Sequence, residues 1–444
     1  MSDNNLIDSQ SELNSEKNIK WNDIDECISI AGEMIIELIE MDPMRYMNPD
    51  FHNYIYDQVY TETYTILEPA YLGRNIENEV CELVTKALKI CFAYVLPARS
   101  YRNTIVEHLP NVNNMRDKIK FLESVPQEQQ RTTGWYEQRH QNLTASSIWK
   151  AFGTPSKRNE IIFSKCNPID VSKYSRFNLE SPLHWGQKYE DLSIAWYENE
   201  YKTKVGEFGC IPHSTIQYIA ASPDGINIDP AAKRYGRMVE VKNIFNREIT
   251  GIPKKEYWVQ MQIQLEVCNL QECDFLETRF KEYDSEEEFE KDGSFTKTID
   301  GKPKGKFILF LDENSQPKYD FPPWGVSKTE YDDWENKTME KYSNLTWLKT
   351  LFWRLDQVSL VLVVRNKLWF KSAKPILDDL WNTITLERKN GYAHRAPNKR
   401  KRASAVIDKK KPNKCMIQLS KLDAIYDNQD NEVNFIDTEK LNNT

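Results

Sequence analysis

The 444 residues predict an α/β core carrying an added helical N-terminal domain. Three observations lead there. Between residues 21 and 125, apolar side chains recur three to four apart, the spacing of one face of a helix. From about Pro126 the texture changes, and turns such as Gly134-Trp135, Trp185-Gly186 and Ser222-Pro223-Asp224-Gly225 punctuate alternating helix and strand patterns. Met238 to Lys242 then alternates with period two, and Val358 to Val364 reads as a continuous buried strand.

Residues 1–20 are rich in Ser, Asn, Asp and Glu, a composition that predicts disorder. Within 21–125, Ile28, Ile30, Met34, Ile35, Leu38 and Ile39 recur mainly three to four apart, and Val80, Cys81, Leu83, Val84, Leu88, Cys91, Phe92 and Val95 form a second run that stops at Pro97. Residues 126–390 are read as the α/β core. Residues 284–357 look inserted into it: an acidic run from Asp284 to Asp292, a strand at Phe307–Leu311, then a stretch rich in Trp and Tyr. Lys374 to Arg388 closes the core as an amphipathic helix with Ile376, Leu377, Leu380, Trp381 and Ile384 inward. Residues 391–444 are expected to be a disordered tail, basic first and then polar.

The formal net charge is −8, so any nucleic-acid surface must come from local clustering of Lys and Arg. Eight cysteines are scattered without a C-x-x-C pair, which argues against a zinc ribbon or an iron–sulfur cluster with closely spaced ligands. The N-terminal stretch has no apolar signal region and no run of about 18 apolar residues exists, so an intracellular protein without a membrane span is expected. No P-loop pattern is present, which excludes ATP-driven translocation by that motif.

The chemistry concentrates in two short stretches. Ser222-Pro223-Asp224-Gly225 is turn chemistry, placing Asp224 at a hairpin tip. In Met238-Val239-Glu240-Val241-Lys242 the valines point to one face of a strand, and Glu240 and Lys242 to the other. A hairpin that folds this strand back beside Asp224 joins two carboxylates and an ammonium. Such a triad suits phosphodiester hydrolysis with Mg²⁺, a hard cation that takes one or two carboxylates plus waters and substrate phosphate. Lys242 would orient the attacking water and offset developing charge, and the Val241 carbonyl is a further candidate ligand.

The flanks resemble a known family. Gly134-Trp135-Tyr136-Glu137-Gln138-Arg139 with Leu143-Thr144-Ala145-Ser146, then Trp185-Gly186-Gln187-Lys188-Tyr189-Glu190-Asp191, the two stretches above, Tyr257-Trp258-Val259-Gln260-Met261-Gln262, and Val363 to Arg388 occur in the order of the phage lambda-type exonucleases, also called YqaJ-like viral recombinase nucleases. The resemblance covers residues 130–283 and 358–390. It implies the PD-(D/E)xK nuclease fold, a mixed central sheet flanked by helices, and, since long terminal additions typify copies in large DNA viruses, a viral origin. It implies a metal-dependent exonuclease that degrades duplex DNA from ends, 5′ to 3′, in viral-type recombination, repair or genome processing. Mg²⁺ is the implied cofactor, with Mn²⁺ as a substitute. The implied partners are double-stranded DNA ends, a single-strand annealing protein and further copies of the chain.

By the same resemblance, Asp224 and Glu240 hold metal, Lys242 assists the attacking water, and Glu190 is a further acid near the metal. The helix pattern agrees, because Glu190, Ile194 and Tyr197 share one face. Gln262 matches a glutamine near the scissile phosphate, with Gln260 and Gln264 close enough to compete for that place. Arg139 and Ser146 match positions that grip the 5′-phosphate; read alone, they are a surface residue and a helix N-terminal residue. The basic run Lys399-Arg400-Lys401-Arg402 is a candidate for phosphate contact or for nuclear import. Phage members form a ring-shaped trimer that threads duplex DNA. The additions at 21–125 and 284–357 have no counterpart there, and they leave the oligomeric state open. An endonuclease or nickase using the same site, or a catalytically silent DNA-binding scaffold, are the alternatives.

Overall fold

The computed structural model describes residues 21–71, 75–102, 111–170, 179 and 182–396. The readings made for residues 1–20 and for Lys399, Arg400, Lys401 and Arg402 lie outside the described residues.

Among the described residues, four α-helices come first: α1 (Trp21–Met41), α2 (Phe51–Leu67), α3 (Glu77–Tyr94) and α4 (Val112–Ser124). The buried positions are Ile28, Ala31, Ile35 and Ile39 on α1, Phe51, Ile55 and Val59 on α2, and Val80, Leu83, Val84, Ala87 and Cys91 on α3, whereas Ile30, Cys81 and Val95 of the expected runs are exposed. There follow α5 (Thr133–Gln141), β1 (Leu143–Thr144), α6 (Ala145–Ile148), α7 (Pro155–Cys166) and α8 (Pro182–Tyr201). The strands β2 (Val205–Gly206), β3 (Ile211–Pro212), β4 (Ile219–Ala221), β5 (Gly225–Asn227) and β6 (Met238–Asn243) lead into α9 (Lys255–Val267) and β7 (Glu272–Glu282). The remainder is α10 (Glu286–Lys291), β8 (Lys304–Leu311), β9 (Pro317–Asp320), α11 (Lys328–Lys341), β10 (Thr346–Val364) and α12 (Lys367–Asn390).

The main sheet is mixed, with order β2-β5-β6-β7-β10-β8-β9, and a small sheet has order β1-β4-β3. In the main sheet β6 and β7 run parallel while the other pairings are antiparallel. A parallel pair needs a crossover, and here α9 is that crossover, so the helix is carried back over the strand bearing Glu240. One sheet face packs Val239, Val241 and Leu276 against Tyr197 of α8. On the other side, α9 is buried nearly all round, with Trp258, Val259, Met261, Ile263 and Leu265 in the principal core. The result is the expected mixed sheet flanked by helices.

The domain boundaries differ from the sequence reading in three places. Residues 21–125 do not stand apart, because their apolar stripes join one hydrophobic core with α9 and α12. Arg99 fastens the two regions: its guanidinium donates to the carbonyls of Tyr46, Met47 and Pro253, and its own carbonyl accepts from the Trp258 indole at 2.8 Å. The insertion's expected end at 357 falls inside β10, so 284–357 builds onto the core sheet. β10 pairs with β7 along its C-terminal part and with β8 along its N-terminal part, so the inserted strands extend the central sheet. The start of the expected tail is also ordered, since Arg395 makes a two-pronged ion pair with Glu387 and donates to Asn159.

Candidate active site

Asp224 lies where the chain leaves one sheet for the other, and this corrects the hairpin-tip reading. β4 ends at Ala221 in the small sheet and β5 begins at Gly225 in the main sheet. Pro223 has no N–H to continue a ladder, so the Ser-Pro-Asp step switches sheets and does not reverse the chain. The reversal comes later, between β5 and β6, with Gly225 opposite Val239 and Ile226 opposite Met238. Asp224 thus sits at the open end of that hairpin. Gly225 is required there, because a Cβ would stand 2.1 Å from Val205 Cγ1. The step brings Asp224 Oδ2 to the backbone N–H of Val241, which donates to it at 2.8 Å.

On β6 the period-two alternation places Glu240 and Lys242 together. Glu240 is fully buried. Lys242 Nζ donates to Glu240 Oε1 and, at 3.1 Å, to the Val241 carbonyl, and it lies 4.0 Å from Asp224 Oδ2. The three expected side chains therefore meet. Burial opposes the charge on Lys242, but the carboxylates of Glu240 and Asp224 outweigh it and raise its pKa. Burial, then the charge of Asp224, pushes Glu240 up to about 7.

The glutamines of α9 divide by helical phase. Gln260 and Gln264 are one turn apart and share a face. Gln260 Nε2 donates to Glu240 Oε1 and Gln264 Nε2 to Glu240 Oε2, both at 2.7 Å. Gln262 points the other way. Its Nε2 donates to the Val364 carbonyl at 2.9 Å and its Oε1 accepts from the Asn366 N–H at 2.7 Å, which ties α9 to the β10–α12 junction. The structure does not bring Gln262 to the acids; i,i+4 spacing was the signal for the pair that does reach them.

Glu190 on α8 is the third acid. Burial and, next, the charge of Asp224 push it up to about 7 as well. Its Oε2 accepts from Arg131 at 2.6 Å. A cavity of about 700 Å³ opens here, lined by Asp224, Glu190 and Arg131 among others. The donors are all hard oxygens, and two carboxyls are lifted toward neutrality beside a third, the electrostatic state that a divalent cation reverses. Among the described residues no three acid, His or Cys side chains converge closely enough to hold an ion alone. Asp224, Glu240 and the Val241 carbonyl could hold a hard divalent cation only with waters completing its shell, and Glu190 lines the same cavity as Asp224. Lys242 now contacts both Glu240 and that carbonyl, so an ion would have to displace its ammonium.

Arg139 and Ser146 also meet: Arg139 Nη2 donates to Ser146 Oγ at 2.7 Å. The guanidinium lies 4.2 Å over the Trp135 ring, and the Trp135 indole donates to Ser222 Oγ at 3.0 Å. Trp135 and Ser222, given no role by the sequence reading, thus link the Arg139–Ser146 pair to the residue two before Asp224. His140 is occupied by the Asn167 carbonyl at 2.9 Å. Of the aromatic stretch, Trp353 is buried, whereas Trp347 is half exposed. No helix among the described residues is long and apolar enough to cross a membrane.

Residues 134–271, which hold the acid–acid–lysine cluster, match the model of the YqaJ-like viral recombinase domain. An uncharacterized protein of Acanthamoeba polyphaga mimivirus is 30% identical over 313 residues, 62% of this chain and 55% of the viral protein. The chain therefore spans about half the length of that curated relative. Among solved structures, the alkaline exonuclease LHK-Exo of Laribacter hongkongensis is 17% identical with a TM-score of 0.34, covering 58% of this chain and 95% of the other. Its complex with dAMP is 19% identical with a TM-score of 0.33, covering 58% and 98%.

Proposed function

We propose that this protein is a divalent-metal-dependent deoxyribonuclease that hydrolyses duplex DNA from its ends, 5′ to 3′, leaving 3′ single strands. The observation that carries this reading is the meeting of Asp224, Glu240 and Lys242, with Asp224 Oδ2 fixed by the Val241 N–H at 2.8 Å. Bound Mg²⁺ supplies Lewis acidity and lowers the pKa of a water. Asp224, Glu240 and the Val241 carbonyl would hold it. Gln260 and Gln264 fix both oxygens of the Glu240 carboxylate from above the strand, so its orientation is set before substrate arrives. Once released from Glu240, the Lys242 ammonium donates to the attacking water and to the developing phosphorane charge.

Preference for an end rests on Arg139. Stacked on Trp135 and paired with an exposed hydroxyl at Ser146, its planar fork is held ready for a terminal phosphate. A single-strand annealing protein is the fitting consumer of the 3′ strands, and further copies of the chain are candidate assembly partners. The test is incubation of the purified chain with Mg²⁺ and a linear duplex labelled at each 5′ end in turn, beside closed circular DNA. Release of label as mononucleotide from 5′ ends with circles intact, abolished by chelation and by Asp224→Asn, is expected. Cutting of circles would assign an endonuclease, and no cutting of either substrate would assign a scaffold.

A further inference from the structure

Arg131 adopts φ +68°, a left-handed conformation that favours glycine and costs a side-chain-bearing residue about 1 kcal/mol or more. The backbone on both sides is pinned. Gln130 Nε2 donates to the carbonyls of Phe208 at 2.9 Å and Pro223 at 3.0 Å, the latter adjoining Asp224. On the other side, Thr132 caps α5 by accepting from the Trp135 N–H. An arginine at such a position is explained by what its side chain does. Here it reaches Glu190 at 2.6 Å, with the guanidinium side chain 45% exposed along the groove that Asp224 also lines.

We propose that Arg131 is an exchangeable counter-cation of the metal site. In the metal-free protein it neutralises Glu190. When a divalent ion binds beside Asp224 and recruits Glu190, Arg131 is displaced along the groove, where its guanidinium takes a phosphate of the DNA backbone. This rests on the nuclease reading above. The exchange is cheap, because a partly exposed ion pair contributes about 0.2–1 kcal/mol and a doubly charged ion competes well for the same carboxylate. Metal occupancy and grip on DNA are thereby coupled through one side chain.

Arg131→Gly is the apt variant, since glycine accepts the same backbone without strain. The measurements are Mn²⁺ titration calorimetry of the full chain without DNA, and duplex binding against salt with Ca²⁺ as the divalent ion. Arg131→Gly should bind Mn²⁺ about 1.4- to 5-fold more tightly than wild type, the conversion of that ion-pair range. The gain should vanish in a Glu190→Gln background. With Ca²⁺ present, the slope of log affinity against log salt should shrink by about one. Unchanged or weaker Mn²⁺ binding, a gain that survives Glu190→Gln, or an unchanged salt slope would each overturn the proposal. If wild type binds Mn²⁺ and cuts DNA while Arg131→Gly shows no gain, only this exchange fails. If wild type binds no Mn²⁺, the metal-dependent nuclease reading fails with it.

Discussion

Gln264 Nε2 donates to Glu240 Oε2 at 2.7 Å, so a buried amide of the crossover helix holds a fully buried carboxylate of the strand beneath it. The same amide donates to the Ser222 carbonyl at 3.2 Å, two residues before Asp224. One side chain therefore sets the relation between the two acids. Gln264→Leu should lower activity or metal affinity about 10- to 100-fold, the usual effect of removing a group that orients a metal ligand. Gln262→Leu should behave otherwise. It strips partners from the Val364 carbonyl and the Asn366 N–H, and should cost about 1–3 kcal/mol of stability while the folded fraction keeps its turnover. Urea unfolding and kinetics on the same preparations separate the two; equal activity losses would reject the assignment by helical face.

Arg139→Ala should weaken digestion of 5′-phosphorylated ends by about tenfold or more, while 5′-hydroxyl ends are digested nearly as before. The guanidinium stacks on Trp135 and donates to Ser146, so its loss removes the phosphate fork while Asp224, Glu240 and Lys242 keep the contacts they make through β6. Competition between the two kinds of end in one tube is the measurement, and an equal loss on both would move Arg139 out of end recognition.

Arg99→Met tests whether the N-terminal helices are integral to the core. The guanidinium satisfies three carbonyls from two regions, and a thioether satisfies none, so a loss of about 2–4 kcal/mol is expected in a single unfolding transition. Two separate transitions, with only the first shifted, would show that the helices fold on their own.

Local periodicity made much of this architecture legible. The alternation at 238–242 placed Glu240 and Lys242 on one face, and the i,i+3/i+4 stripe of 374–388 sits inside a helix that the structure extends to Lys367–Asn390. What escaped the sequence depends on long-range pairing. The turn-forming residues of Ser222-Pro223-Asp224-Gly225 were visible, but whether the step reverses the chain or changes sheets is decided by which strands flank it, and those pair with β1, β3 and β6. Three glutamines at 260, 262 and 264 look alike until the phase of α9 over β6 is known. The 19-residue β10 likewise reads as two pieces, because its halves answer to different partners.

Lys165 should make stability depend on pH above neutrality. It is buried on α7, where Nζ donates to the Arg139 carbonyl at 2.6 Å. Burial first, then the nearby charges of Arg139 and Arg388, pull its pKa down to about 7, against 10.5 in the unfolded chain. Between those values the unfolded state holds a proton that the folded state lacks, so unfolding free energy rises with pH. The contribution is complete above 10.5, is lost as pH falls to 7, and is constant below. Lys165→Met keeps most of the volume and removes the charge. It should raise stability by a few kcal/mol at pH 6.5, less about 1 kcal/mol for the lost hydrogen bond, and by almost nothing near pH 10. Denaturant midpoints at pH 6.5 and 9.5 measure the difference; a variant equally or less stable than wild type at pH 6.5 would show that the ammonium is accommodated without penalty.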